Sequence, residues 1–399
     1  MRVKNRWLAS PLSALAAIVA IVVLAAGCAP APVPSAVGSI APPPASAIVP
    51  SASPSSADPS AADIQSLLDR MAAAVVAGDR DGYLALVDLA DPVFALEHTR
   101  WADDWSGRNP VSAYSLELAD LQRDGESAAG LLTVHWAFDA GVAVEPPRVT
   151  TFPVSFTTGA GGWRYAGEVW TSTEVPHFVL RVAPGLETAV PDIADVLPGI
   201  YGDVTAELGY EPNGTLEIKL YADANALVAN TLLSLPTIRG WNEPGEALKL
   251  VHDPQGPPLA PTIAHELTHF IGFDRAGTRR SRMPWWLDEG IATYVASTIE
   301  GPAVDRLAQV IAWEAEGALA PWEEMTVFEE TPVELWAYVY PQGYAMVLFV
   351  TERFGADRRN AWLAAMATEM EIDEATREEL GRSFDRLDAE FRAWLAAQR

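Results

Sequence analysis

Disulfides are excluded from this chain's fold, because its 399 residues include one cysteine, Cys28. The folded part must therefore be held by its core. Basic residues are few: 27 Lys and Arg face 53 Asp and Glu, giving a formal net charge of -26. Phosphates would repel such a chain, so a nucleic-acid partner is excluded. Charge of either sign is missing from Trp7 to Cys28, just after the basic residues Arg2, Lys4 and Arg6. The apolar run from Leu12 to Ala26 reads as an export signal, long for a signal core and short for a membrane span. Residues 29–62 are Pro, Ser and Ala with almost no charge or aromatic residue. Such a segment buries nothing and is expected to be a flexible tether.

The end of the apolar run, Leu24-Ala25-Ala26-Gly27-Cys28, resembles the bacterial lipoprotein box. The resemblance implies cleavage before Cys28 and its lipidation, which would anchor an exported chain to the cell membrane or surface. An uncleaved N-terminal membrane helix is the alternative, and it also leaves the rest of the chain outside.

About 335 residues remain, which suggests two domains. In the first, 63–175, "DIQSLLDRMAAAVVA" and "GDRDGYLALVDLA" carry helical spacing. After residue 111, "AYSLELADLQ", "AAGLLTVHWAF", "RVTTFPVSFTT" and "GGWRYAGEVW" read as four consecutive strands. Helices followed by an antiparallel sheet predict an α+β unit. The order resembles the NTF2-like (SnoaL-like) fold, a helix-plus-curved-antiparallel-sheet domain. His98, His135, Trp101, Trp105, Trp136 and Trp163 fall in this unit. They could line a pocket, but such residues are more often core or rim of a curved sheet, and no catalysis is assigned to them.

In the second, 176–399, strands are expected at 177–182, 215–223 and 246–253, with a helix at about 187–208 kinked or broken at Pro191 and Pro198. A further helix should begin after Pro258 and Pro261 and stop near Gly272. It carries His265-Glu266-Leu267-Thr268-His269. Residues four apart leave one helix face, so both imidazoles can reach a single ion, and zinc suits imidazole nitrogen. Glu266 lies beside that site, able to take a proton from a polarised water. Two imidazoles do not close a zinc site, so a third ligand is needed. Glu289 follows on an apolar helix at 283–297, where Gly290 and Ala292 would permit close packing against the first helix. A glutamate flanked by Trp285, Trp286, Leu287 and Ile291 is costly to bury, and ligation is a physical reason for it.

His-Glu-x-x-His followed by Trp286-Leu287-Asp288-Glu289-Gly290-Ile291-Ala292 resembles the gluzincin metallopeptidases. Within them it is most similar to the peptidase-MA-like group related to the aminopeptidase-N family. The expected fold there is a small mixed sheet followed by a helical C-terminal part. The resemblance implies His265, His269 and Glu289 as ligands of Zn²⁺, Glu266 as general base, and a peptide or protein substrate. Tyr340-Pro341-Gln342-Gly343 resembles the family's Tyr-x-x-Gly segment, which implies Tyr340 as oxyanion donor; the alternative is a tyrosine packed between Tyr338 and Tyr344. The aminopeptidases carry a Gly-x-Met-Glu-Asn strand whose acid grips a substrate amine. Here "RGWNEPGEALKLVHD" lacks it; Glu243 or Glu246 could substitute, though endopeptidase action fits as well.

Two readings stay open beside these. Arg275, Arg279, Arg280 and Arg282 form a basic cluster between the ligand helices, either an anion subsite or a solvated loop. The whole chain could also be a catalytically inactive surface binding protein, in which the NTF2-like unit captures a ligand or envelope partner.

Overall fold

The computed structural model describes residues 19–20 and 59–399, except 108, 139–146, 160, 236–237, 257, 278–281 and 301–305. Cys28 and nearly all of the expected signal and tether lie outside the described residues. Val19–Ala20 (β1) forms a two-residue strand, placing Val19 opposite Asn242 and Ala20 opposite Trp241. No helix among the described residues is long and apolar enough to cross a membrane.

The N-terminal unit opens with α1 (Pro59–Ala77), α2 (Arg80–Leu84) and α3 (Pro92–Ser106). The helix α1 takes in residues 59–62, which composition assigns to the tether, because a proline at a helix start costs no hydrogen bond. The second helical stretch shrinks to five residues, while α3 was not expected at all. Asp91 caps α3 by accepting from the amides of Val93 and Phe94, and Pro92 follows at a helix-starting position. Four strands then pair antiparallel in chain order: β2 (Val111–Asp124), β3 (Ser127–Phe138), β4 (Arg148–Gly159) and β5 (Gly162–Glu168). Alternation decides which side is buried: Leu132, Val134 and Trp136 of β3 and Phe152, Val154 and Phe156 of β4 all face the core.

The second sheet begins with β6 (Thr171–Val175) and β7 (Phe178–Val182), an antiparallel hairpin. Thr171–Val175 therefore belongs with the later sheet, although its position in sequence groups it with the earlier strands. α4 (Val190–Leu208) runs unbroken, with Pro191 in its first turn and Pro198 inside it, so the expected break is absent. Then come β8 (Leu216–Tyr221), α5 (Ala224–Ala229), β9 (Gly240–Asn242) and β10 (Leu248–Val251). The sheet order is β1-β9-β10-β8-β7-β6, with β8 parallel to both β7 and β10 and β9 antiparallel to β10. The helical remainder comprises α6 (Leu259–Ala276), α7 (Trp285–Glu300), α8 (Arg306–Glu316), α9 (Trp336–Phe354), α10 (Ala356–Ala367), α11 (Ile372–Leu380) and α12 (Phe384–Ala397). The chain is thus α+β, antiparallel strands first and helices last.

The two cores do not divide where the two sheets do. One joins β7, β8, β10 and α4 to the C-terminal helices. The other holds the N-terminal unit together with Tyr221, Ala226–Ala229, Leu232, Leu233, Leu235, Ile238, Trp241 and Val251. The excursion between β8 and β9 is thus packed into the N-terminal unit. Burying each of its large aliphatic side chains contributes about 1.5–3 kcal/mol, against about 1 kcal/mol for a typical hydrogen bond. Apolar burial drives this seam, and polar contacts set its register.

Charges are buried in the seam too. Lys249 Nζ lies 3.0 Å from Glu97 Oε1 and 2.5 Å from Glu246 Oε2, and Lys219 pairs with the other oxygen of Glu97. Burial pushes the Glu97 carboxyl up, but the two lysines outweigh it and hold the group at about 2.

Candidate metal centre

α6 brings His265, Glu266 and His269 into the interior, with exposures of 5%, 0% and 0%. The helix continues past Gly272 and ends at Gly277, where φ is 59°. Its last turn is tied down by Tyr210, which donates to Asp274 at 2.8 Å, and by Arg275, which donates to the Leu208 carbonyl at 3.0 Å. Those contacts explain why Gly272 does not stop it.

α7 delivers Glu289, fully buried, against the same face. One carboxylate oxygen, Oε2, lies 3.1 Å from His265 Nε2 and 3.6 Å from His269 Nε2. Ligand atoms of the three residues all fall within 4.8 Å of one another. A tetrahedral ion bound at 2.0–2.2 Å sets its ligand atoms about 3.4 Å apart, so two imidazole nitrogens and one carboxylate oxygen in this arrangement fit zinc. The three leave a fourth position free for water or substrate.

Two neighbours that the sequence did not single out complete the surroundings. Trp285 Nε1 donates to Glu289 Oε1 at 2.9 Å, and Asp288 Oδ2 faces His269 Nδ1 at 3.2 Å. Outer contacts of this kind fix which atom of a ligand points at the metal. Trp285 sits four residues before Glu289, a spacing visible in sequence but without meaning until the helix and its burial are known.

The two glutamates are tuned in opposite directions. Burial pushes Glu266 up to about 8, and neither of its oxygens, both buried, has a hydrogen-bond partner among the described residues. Burial also pushes Glu289 up, but His265 and His269 outweigh it and hold Glu289 at about 2.

β9 passes close to Glu266. A Cβ on Gly240 would meet Glu266 Oε1 at 2.3 Å, and Asn242 donates from Nδ2 to the Glu266 carbonyl at 3.1 Å. Gly290 packs against Gly343 of α9, not against α6 as sequence suggests: a Cβ there would lie 2.5 Å from the Gly343 carbonyl carbon. A Cβ on Gly343 would meet the Trp286 carbonyl oxygen at 2.1 Å. This contact draws the Tyr340 segment to the site, where the Tyr340 ring lies 6.5 Å from that of His265 and 6.4 Å from that of Trp285.

Other candidates fall elsewhere. Glu243 and Glu246 are buried on the side of β9 that faces the N-terminal unit, where Arg100 Nη1 lies 3.8 Å and 2.9 Å from them. Glu246 is paired with Arg100 and Lys249, while burial and the neighbouring Glu246 hold the Glu243 carboxyl well above the usual carboxylate range. Arg275 is engaged with α4, Arg282 pairs with Glu371 at 3.3 Å, and Arg279 and Arg280 lie outside the described residues. His98 is buried against Tyr83, whereas His135 is exposed, so the two histidines share no pocket. Trp101, Trp105 and Trp136 are core.

Residues 260–397 match the family model described as the Peptidase MA superfamily. The match supports a gluzincin-like, metallopeptidase-like domain over the helices that carry the His-His-Glu cluster. No curated protein matches the chain. A crystal structure from Novosphingobium aromaticivorans, named as a candidate aromatic ring hydroxylase, is similar at 15% identity, covering 26% of this chain and 81% of that one. Its TM-score of 0.19 is too low to carry an argument.

Proposed function

We propose that the chain is a zinc-dependent metallopeptidase, anchored outside the cytoplasm through a lipid on Cys28, that hydrolyses peptide bonds. The observation that carries this is the meeting of His265 Nε2 and His269 Nε2 on the single oxygen Oε2 of Glu289, beside the partnerless carboxylate of Glu266. Zinc held by those three residues would supply Lewis acidity to a water and to the scissile carbonyl. Glu266 takes the proton of the attacking water and delivers it to the leaving amine. Tyr340 donates to the oxyanion that develops on the carbonyl. Trp285 and Asp288 keep Glu289 and His269 aimed at the metal. Glu246 is held by Arg100 and Lys249 and is not free to grip a substrate amine. The sequence of residues 1–28 supports the address.

The rival reading, an inactive binding protein built on an NTF2-like unit, is weakened because Ala226–Ala229, Leu232, Leu233, Leu235 and Ile238 pack into the aromatic interior of that unit. Metal quantification with peptide-library digestion tests the proposal. Wild type should hold one zinc and cleave in a chelator-sensitive manner, and Glu266→Gln should hold zinc without turnover. Protein that binds no zinc, or a Gln variant that cleaves normally, would sink it.

A further inference from the structure

The excursion from β8 to β10 leaves the second sheet, enters the N-terminal unit and returns carrying β9. Its backbone is irregular over most of that path, so its buried carbonyls need partners from elsewhere. The N-terminal unit supplies them on both sides of β9. Before it, Trp101 Nε1 donates to the Ala229 carbonyl at 2.9 Å and Trp136 Nε1 to the Leu233 carbonyl at 3.3 Å. Arg148 donates to the Leu235 carbonyl at 2.5 Å. Asp104 accepts from Ser234 twice, from its hydroxyl at 2.6 Å and its amide at 3.1 Å. After β9, Arg100 donates to the Pro244 carbonyl at 2.7 Å and pairs with Glu246 at 2.9 Å. Within the sheet, β9 pairs over two positions with β10, Trp241 opposite Lys249 and Gly240 opposite Leu250.

We infer that the N-terminal unit is a positioning element of the candidate active site, clamping the chain on both sides of β9 and so fixing that strand against Glu266. Arg100, Trp101 and Asp104 all lie on α3, so one helix grips both ends of the excursion. Three residues of strand, with a two-position ladder to β10 and a two-residue partner, β1, that the proposed cleavage before Cys28 would remove, would not hold their place alone. The clamped strand is the one whose backbone runs against the general base, where a displacement of about 1 Å can cost about a hundredfold in rate. On this account the N-terminal unit serves as the mould for one wall of the candidate site.

The activity part of this inference rests on the proposed function; the positional part does not. The full exported chain, with Asp104→Ala and Arg100→Gln variants, is followed by hydrogen exchange over 229–247, zinc competition against a chelator, and peptide cleavage. Exchange at Gly240–Asn242 should quicken about tenfold or more, reflecting local opening. Zinc affinity should stay within about twofold, since the outer contacts of the ligands are untouched. kcat should fall more than KM rises, and Asp104→Asn, which keeps one acceptor oxygen, should recover part of the effect. Folded variants that exchange at 240–242 as slowly as wild type would overturn the inference. If either variant fails to fold, Ser234→Ala removes a single bond of the clamp, and the same two exchange outcomes decide. If the wild type cleaves no peptide, the proposed function falls while the exchange result still judges the clamp.

Discussion

Trp285 Nε1 donates to Glu289 Oε1 across one turn of α7, leaving Oε2 alone to face both His265 and His269. A carboxylate can ligate through one oxygen or two, and the indole occupies the second. Trp285→Phe keeps the ring and removes the donor. Zinc affinity should fall about tenfold or more, as for other outer-shell partners, with the thermal midpoint little changed. Chelator competition at constant pH measures this, and unchanged affinity would assign Trp285 to packing alone.

Gly240→Ala tests the approach of β9 to the general base. The added methyl needs space now held by Glu266 Oε1, 2.3 Å away, and the flexible carboxylate is the group that can move. Zinc content should be normal, whereas kcat should fall by about two orders of magnitude, the cost of misplacing a reacting group. Equal kcat values would show that Glu266 reaches its water from another rotamer.

Gly343→Ala tests a contact that cannot relax in that way. Its methyl would meet the Trp286 carbonyl oxygen at 2.1 Å, so α7 and α9 must separate. Overpacking of this kind costs about 1–3 kcal/mol or more. Denaturant unfolding reads the loss directly, and a variant as stable as wild type would contradict the helix spacing described above.

His98 predicts an acid-side loss of stability that starts early. Burial lowers its pKa from 6.5 to about 3, and its ring meets the Tyr83 hydroxyl at 2.8 Å. Between those values the unfolded chain binds a proton that the folded chain refuses, so stability falls as pH drops below 6.5, by roughly 5 kcal/mol in all. Glu97, also depressed, acts later: its contribution is present above 4.5 and is lost as pH falls toward 2. Unfolding curves from pH 7 to 4.5 should therefore be flatter for His98→Gln than for wild type, and parallel slopes would refute the assignment.

The candidate site was legible in sequence to the extent that it obeys helix periodicity. His265 and His269 are neighbours because they are four apart on one helix, and Glu289 stood out as an acid among tryptophans. What escaped was set by contacts between elements. α3 was missed because its polar face, with Glu97, Arg100 and Asp104, is buried against the second sheet and its excursion, which blurs the apolar stripe. β9 is three residues long, too short to display a period of two. Asp288 and Trp285 matter through atoms they meet in space. Gly290 was recognised as a close-packing position but given the wrong partner, since spacing says that a helix can approach and not which one.

The Gly290–Gly343 contact leaves the two sides of the cleft unequal in stiffness. Glu289 and the Tyr340 segment ride on helices locked backbone to backbone, so a displacement of one carries the other with it. The opposite side is a three-residue strand held by two-position ladders and by side chains. A bulky substrate residue would therefore be accommodated by the β9 side yielding while the distance from metal ligand to oxyanion donor is preserved. On the proposed function, tolerance for different substrates and constancy of the chemistry would belong to separate walls.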